Sequence, residues 1–165
     1  MPRTIIGIMG PGQRATNTDR QNAYQLGEAI ARLGWVLLTG GRPAGVMTAA
    51  IRGAKAAGGL TVGILPGPDR QGADPGVDIA ICTDLGNGRN NVNVLSADMV
   101  IACGMGLGTA SEVALALKNG KRVILLGDRA AQDFFMRFAP EQVIAVQTVA
   151  EAIAYLQNSL PFLSP

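Results

Sequence analysis

Arg89 and Glu112 are the two ionisable residues best placed for chemistry in this sequence. Arg89 stands at the start of a predicted helix, where its positive charge is unfavourable beside the positive end of the helix dipole. We therefore expect an anionic partner for Arg89, either Glu112 or a ligand phosphate; the other possibility is an Arg that faces solvent. As a catalytic pair, Glu112 would activate water or stabilise positive charge, and Arg89 would hold Glu112 or a substrate phosphate in place.

Thr109 and Glu112 are three positions apart at the start of another predicted helix. This spacing is typical of a capping box, in which Thr109 caps the helix and Glu112 bonds back to the capping residue. That is a structural interpretation. In the functional alternative, Glu112 faces a ligand while the N–H groups of the preceding loop hold a phosphate.

Three glycine-rich turns, at residues 7–13, 39–47 and 104–112, each follow a predicted strand. The carboxyl ends of parallel strands form one rim of a sheet, and ligands bind there where the strand order reverses. Glycine lets the backbone approach a ligand and the next helix offers N–H groups to an anion, although such turns also take glycine for steric reasons. The pattern predicts a phosphate-binding rim of Arg89 and Glu112 with Gly10, Gly12, Gly40, Gly41, Arg42, Gly45, Asn90, Gly106, Gly108, Thr109 and Ser111.

Residues 10–15 also match the glycine fingerprint of dinucleotide-binding proteins. Two features argue against that interpretation. The following helix is predicted to begin only near Thr18 or Asp19, and the second strand ends in Thr39-Gly40-Gly41, where an acidic partner for the ribose should stand. We therefore do not expect an NAD-dependent enzyme.

Histidine does not occur in the sequence. This removes the commonest metal ligand and the His-based catalytic triads, so any chemistry rests on carboxylates, Arg, Lys or groups of the ligand. No tightly bound catalytic metal is expected. The two cysteines, Cys82 and Cys103, lack the CxxC spacing and are expected to be small buried apolar residues.

The composition limits the possible partners. The 165 residues fit one domain, 1–165. Only 16% are charged, against about 25% in typical soluble domains, so we expect a homo-oligomer, a dimer or a tetramer. A net charge of +2 and 4% aromatic residues disfavour nucleic acid. The apolar runs are too short to span a bilayer and no signal peptide is apparent, which predicts no membrane partner and a cytoplasmic location.

Short apolar runs alternate with helical patterns along the whole chain. Continuous apolar runs are typical of strands covered on both faces, and their alternation with helices predicts a parallel sheet with right-handed crossovers. We expect an α/β fold with a Rossmann-like, doubly wound parallel sheet of about seven strands and helices on both faces. The predicted strands are 4–9, 35–39, 60–65, 78–82, 99–103, 122–126 and 143–146, and the predicted helices are 19–33, 45–57, 90–97, 109–119 and 148–156.

Several blocks of the sequence resemble the Lonely Guy (LOG) or SLOG superfamily, once labelled putative lysine decarboxylases. They are GIMGPGQ at 7–13, TGGRPAGVMTAA at 39–50, AAGGLTVGILPG at 56–67 and GRNNVNVLSADMVIACGMGLGTASE at 88–112. The last block is similar to the paired Arg and PGGxGTxxE motifs of the family. Its Arg-Asn-Asn form and GTASE ending look most like the branch that includes molybdenum cofactor carrier proteins.

The resemblance implies two functions. Enzymes similar to Lonely Guy hydrolyse the N-glycosidic bond of cytokinin riboside 5′-monophosphates, and their catalytic Arg and Glu correspond to Arg89 and Glu112. This chain departs from them at Asn90, where Lys is usual, at Ser111, where Glu is often found, and at Gly104-Met105, which replaces Pro-Gly.

We therefore expect a carrier that holds molybdenum cofactor, a pterin with a terminal phosphate, as its cargo. Such a carrier would protect the cofactor until a molybdoenzyme apo-protein takes it. The alternative is a nucleoside 5′-monophosphate phosphoribohydrolase, and a third hypothesis is a sensor that reports nucleotide binding to a partner.

Overall fold

A seven-stranded parallel sheet forms the centre of the computed structural model, which describes residues 2–160. The strand order is β4-β3-β2-β1-β5-β6-β7. The predicted doubly wound α/β fold is confirmed, and each predicted strand agrees with an observed one to within one residue. The strands are β1 (Ile5–Met9), β2 (Val36–Thr39), β3 (Thr61–Leu65), β4 (Ile79–Cys82), β5 (Met99–Cys103), β6 (Val123–Leu126) and β7 (Val143–Val146).

Helices cover both faces of the sheet. Each face has its own apolar core: α1, α2 and α6 pack on one side, and α3, α4 and α5 on the other. Successive residues of the central strands point to opposite cores, which explains why these strands are apolar throughout. The helices are α1 (Asn17–Arg32), α2 (Gly45–Ala56), α3 (Arg89–Ser96), α4 (Leu107–Lys118), α5 (Arg129–Met136) and α6 (Val149–Ser159), and a 3₁₀ turn (Gly86–Gly88) precedes α3.

Helix α5 is missing from the sequence-based prediction. It is only eight residues long, so its apolar pattern covers barely two turns. Asp128 caps it by accepting a hydrogen bond from the backbone N–H of Ala131, and it buries Phe135 against the sheet. Among residues 2–160, no helix has the length and apolar character needed to span a membrane.

Strand β4 departs from the expectation of a sheet covered on both faces. It lies at one edge, and the chain that follows it crosses to β5 on the far side of β1. The side chains of Ile79 and Ile81 therefore remain 46% and 43% exposed. Cys82, at the end of the same strand, is exposed, so the prediction that both cysteines are buried is wrong for Cys82 and correct for Cys103.

The strand order reverses between β1 and β5. The chain adds β2, β3 and β4 on one side of β1, then returns to place β5 on its other side and continues outward through β6 and β7. The loops that leave the carboxyl ends of β1 and β5 therefore run in opposite directions and leave a crevice between them. Met9 pairs with Ala102 directly below this crevice.

Candidate ligand-binding site

A cavity of about 850 Å³ lies in the crevice at the carboxyl ends of β1 and β5. This volume is within the range of small-molecule sites, about 300–1,000 Å³. The three glycine-rich turns and the start of α3 meet around it, as the sequence indicates. The predicted site residues that line the cavity are Gly10, Gly12, Gly40, Arg42, Arg89, Asn90, Gly106, Gly108, Thr109 and Glu112.

Gly41, Gly45 and Ser111 do not line the cavity, although each is next in sequence to a residue that does. Gly45 has a φ of +48°, and a Cβ atom there would lie 1.9 Å from the carbonyl oxygen of Gly12. The lack of a side chain thus lets the start of α2 approach the first turn. The N–H of Val46 then donates a 3.0 Å hydrogen bond to the carbonyl oxygen of Pro11, which joins the first two turns.

Helix α4 begins at Leu107, with Gly106 as an extended N-cap that provides no side-chain hydrogen bond. The predicted capping box of Thr109 and Glu112 is therefore wrong, because the helix starts two residues earlier and Thr109 already lies inside its first turn. The first hydrogen bond of the helix runs from the Ala110 N–H to the Gly106 carbonyl oxygen. The N–H groups of residues 107–109 precede it and have no intrahelical acceptor.

The Thr109 hydroxyl is buried at this helix start. Thr109 is 2% exposed and lines the cavity, and its Oγ1 has no hydrogen-bond partner among the described residues. Buried hydroxyl groups nearly always have a partner, so the missing one is a reason to expect a ligand group here. A helix N terminus with an adjacent free hydroxyl is suited to a phosphate.

Arg89 is buried, so the alternative of a solvent-facing Arg is wrong. Its Nη1 donates hydrogen bonds to two carbonyl oxygens, that of Gly40 just after β2 and that of Ile64 one residue before the end of β3. Arg89 thereby ties the start of α3 to the rim of the sheet. Burial lowers the pKa of Arg89, and the nearby Arg42 lowers it further, whereas the charge of Glu112 raises it.

Glu112 is 8% exposed and is the only acidic residue of 2–160 that lines the cavity. Its Oε1 accepts a 2.8 Å hydrogen bond from Nδ2 of Asn93 on α3. Burial raises the pKa of Glu112 to about 7, although the Asn93 hydrogen bond and the charge of Arg89 act in the opposite direction. Its charge therefore changes near neutral pH.

Asn93 is missing from the sequence-based site. It is fully buried, and its Oδ1 has no partner in the described chain. The signal available in the sequence was its spacing: four residues after Arg89, Asn93 lies on the same face of α3. A polar residue on a face that packs against another helix requires a partner there, and Glu112 provides it.

Asn90 and Ser111 form a neutral pair between α3 and α4. Nδ2 of Asn90 donates to Oγ of Ser111 over 2.8 Å, and the Ser111 hydroxyl donates to the carbonyl oxygen of Gly108 over 2.7 Å. Ser111 thus holds Asn90 in place while Asn90 faces the cavity.

The cavity wall carries more positive than negative charge. Among residues 2–160, it is lined by three guanidinium groups, of Arg14, Arg42 and Arg89, and by one carboxyl group, of Glu112. Arg14 was not predicted, although it directly follows the first glycine-rich turn and could have been included on that ground. The other lining residues that the sequence-based prediction did not include have apolar or amide side chains: Ile8, Met9, Pro11, Gln13, Ala44, Met47, Asn87, Met105, Leu107 and Ala110.

A comparison with known protein families identifies one that matches nearly the whole chain. Residues 3–153 match the SLOG cluster4 family. The chain belongs to this family. The match covers all three glycine-rich turns, and it confirms the superfamily indicated by the sequence.

Solved structures similar to this SLOG cluster4 protein share its fold over nearly the whole chain. The molybdenum cofactor binding protein of the phototrophic bacterium Rippkaea orientalis is 57% identical over 96% of this chain and 98% of its own, with a TM-score of 0.93. The molybdenum cofactor carrier protein of Chlamydomonas reinhardtii is 48% identical over 95% of this chain and 98% of its own, with a TM-score of 0.90.

A more distant relative is an enzyme. The cytokinin riboside 5′-monophosphate phosphoribohydrolase of Mycobacterium tuberculosis is 36% identical over 100 residues, which is 59% of this chain and 54% of that protein. Both functions implied by the sequence therefore have a counterpart among its relatives. The two molybdenum cofactor proteins match a much larger share of the chain.

Proposed function

We propose that this protein binds molybdenum cofactor and carries it in the cytoplasm to molybdoenzyme apo-proteins. The observation that carries the proposal is its likeness to the molybdenum cofactor proteins, at 57% and 48% identity over at least 95% of the chain. The cavity supports the same conclusion, because its donors suit the terminal phosphate of the cofactor.

The phosphate would bind at the start of α4. The unpartnered Thr109 hydroxyl and the N–H groups of residues 107–109 offer hydrogen bonds there. Arg14 and Arg42 on the cavity wall would add charge-assisted contacts. Hydrogen bonds from charged or aligned donors to phosphate are among the strongest in proteins, so this end would provide much of the affinity.

Hydrolysis of nucleoside monophosphates is the second candidate, supported by Arg89 and Glu112 on the same cavity. Two observations favour the carrier. Asn90 and Ser111 form a neutral pair that provides no acid or base, and general acid–base groups each contribute roughly 10²–10⁴-fold to such reactions. Arg89 already donates two hydrogen bonds to backbone carbonyls, which is a structural task.

A homo-oligomer, a dimer or a tetramer, is part of the proposal. The exposed apolar side chains give it a physical reason, since surfaces of this kind are often covered by a partner. Ile79, Ile81, Phe134 and Phe138 are 43–73% exposed, and Leu107 at the cavity rim is 94% exposed. Light scattering at micromolar concentration should show more than one copy of the chain.

The test of carriage is transfer. Protein loaded with molybdenum cofactor should restore activity to an apo-molybdoenzyme when the two are mixed, and Thr109→Val should load poorly and restore less. The control is Thr18→Val, at an exposed position of α1 outside the cavity. If the loaded protein holds the cofactor but restores no activity to the apo-enzyme, the carrier hypothesis is wrong, and the protein would instead store the cofactor or sense it.

A further inference from the structure

Two kinds of polar group line the cavity. Its donors are the start of α4 and the guanidinium groups of Arg14 and Arg42, and they suit an anion. Its hydrogen-bond acceptors are the side chains of Asn90 on α3 and Glu112 on α4. A ligand that satisfies both kinds of group must carry an anion such as phosphate and, apart from it, groups that donate hydrogen bonds.

The local hydrogen bonds determine how Asn90 is oriented. The Ser111 hydroxyl has one proton and gives it to the Gly108 carbonyl oxygen, so its oxygen must accept from Asn90. The amide nitrogen of Asn90 is therefore directed to Ser111. Its carbonyl oxygen makes no hydrogen bond within residues 2–160 and is left as an acceptor beside the cavity.

Glu112, like Asn90, has one polar atom engaged within the protein and one that is free to accept a hydrogen bond. Its Oε1 accepts from Asn93, and its Oε2 makes no hydrogen bond within the described part of the chain. Arg89 lies near enough to favour the ionised carboxyl group, but the two form no direct ion pair there. A carboxyl group with one free oxygen on the wall of a cavity can accept a hydrogen bond from a ligand donor.

Aromatic side chains are lacking from the cavity wall among residues 2–160; its larger apolar residues include Met47, Met105 and Leu107. Ring stacking on aromatic residues therefore cannot select one flat heterocycle over another. Selection is left to hydrogen bonds at the edge of the ring, and Glu112 is the charged acceptor available for them.

We propose that Glu112 binds the donor edge of the ligand heterocycle, where a ring N–H stands beside an exocyclic amino group, as in pterins and in guanine. A carboxylate accepts from two such parallel donors as it does from the two N–H groups of an Arg. Oε2 would accept from one donor, and Oε1, which already accepts from Asn93, would accept from the other with its second lone pair. This inference rests on the proposed function for the phosphate site and adds the class of heterocycle that the site prefers.

Three nucleoside monophosphates test the inference, because they share ribose and phosphate and differ at this edge. Guanosine monophosphate offers the ring N–H and the amino group, inosine monophosphate only the ring N–H, and adenosine monophosphate a ring acceptor in its place. Titration calorimetry at pH 8, where Glu112 is mostly ionised, should give affinities in that order. We expect guanosine monophosphate to bind roughly tenfold or more tighter than adenosine monophosphate.

Two variants separate this inference from the phosphate site. Glu112→Gln keeps an acceptor for Asn93 but presents an amide, and it should bring guanosine monophosphate down to the affinity of adenosine monophosphate. Thr109→Val should weaken all three nucleotides in parallel and leave their ratios unchanged.

Equal affinities for the three nucleotides in the unmodified protein would overturn the inference and leave the phosphate site standing. A preference for guanosine monophosphate that survives Glu112→Gln would overturn it too. If none of the three binds, the inference fails, and competition by inorganic phosphate against the cofactor then decides whether the phosphate site fails with it.

Discussion

Asn93 on α3 and Glu112 on α4 are joined by a 2.8 Å hydrogen bond, and both side chains are buried beside the cavity. The bond favours the ionised carboxyl group, whereas burial disfavours it more strongly. A carboxyl group whose pKa is about 7 therefore lies on the wall of the cavity.

This balance makes the free energy of unfolding depend on pH. The pKa of Glu112 is about 7 in the folded protein against 4.5 as its ordinary value, so the folded state binds the proton more tightly. Glu112 therefore destabilises the fold progressively as pH rises from about 4.5 to 7. The neutral side chain of Glu112→Gln does not carry this penalty. The free energy of unfolding of the variant minus that of the parent should therefore be roughly 2–3 kcal/mol larger at pH 8 than at pH 5. Urea unfolding of the variant and the parent at both pH values measures this quantity. The same difference between variant and parent at pH 5 and pH 8 would contradict the raised pKa.

Arg89 and Arg42 should respond differently to replacement by Ala. Arg89→Ala removes the donor to the carbonyl oxygens of Gly40 and Ile64, and each buried unsatisfied group costs about 1–3 kcal/mol. It should therefore lower both stability and cofactor affinity. Arg42 is exposed at the cavity rim, so Arg42→Ala should lower affinity alone. Thermal unfolding with and without cofactor separates the two, and an unfolding temperature unaffected by Arg89→Ala would refute its structural role.

Two glycines of the rim give a matched pair of substitutions. Gly45→Ala would force a side chain into a positive φ and against the Gly12 carbonyl oxygen, and should destabilise by about 2 kcal/mol or more. Gly108 has no atom within 4 Å of a Cβ and lies in the first turn of α4. Gly108→Ala should thus be neutral or slightly stabilising. Equal denaturation midpoints for the two variants would disprove the close approach of α2 to the first turn.

Adenosine monophosphate should remain intact in the presence of the protein. The neutral pair of Asn90 and Ser111 leaves Glu112 as the one acidic group on the cavity among the described residues. Chromatography for free adenine is the measurement. Release at several turnovers per second, lost in Glu112→Gln, would establish the hydrolase in place of the carrier.

The strands could be predicted closely because each central strand is buried on both faces and so appears as a short apolar run. The rim could be predicted too, since glycine turns at the ends of parallel strands must share one edge of the sheet. The start of α4 could not, because Gly106 begins the helix by its extended backbone alone. Local spacing puts Asn93 on the same face of α3 as Arg89, but it gave no sign that this face meets Glu112. Asn93 and Glu112 are nineteen positions apart, and only the packing of the two helices brings them together.

Direct analysis of the cargo tests the central claim. The chain, purified under reducing conditions from cells that make molybdenum cofactor, should contain molybdenum and pterin in equal molar amounts by elemental and fluorescence analysis. Thr109→Val should lose most of both, and Thr18→Val should keep them. Purified protein that holds neither molybdenum nor pterin, or a cargo unaffected by Thr109→Val, would contradict a cofactor held by its phosphate at the start of α4.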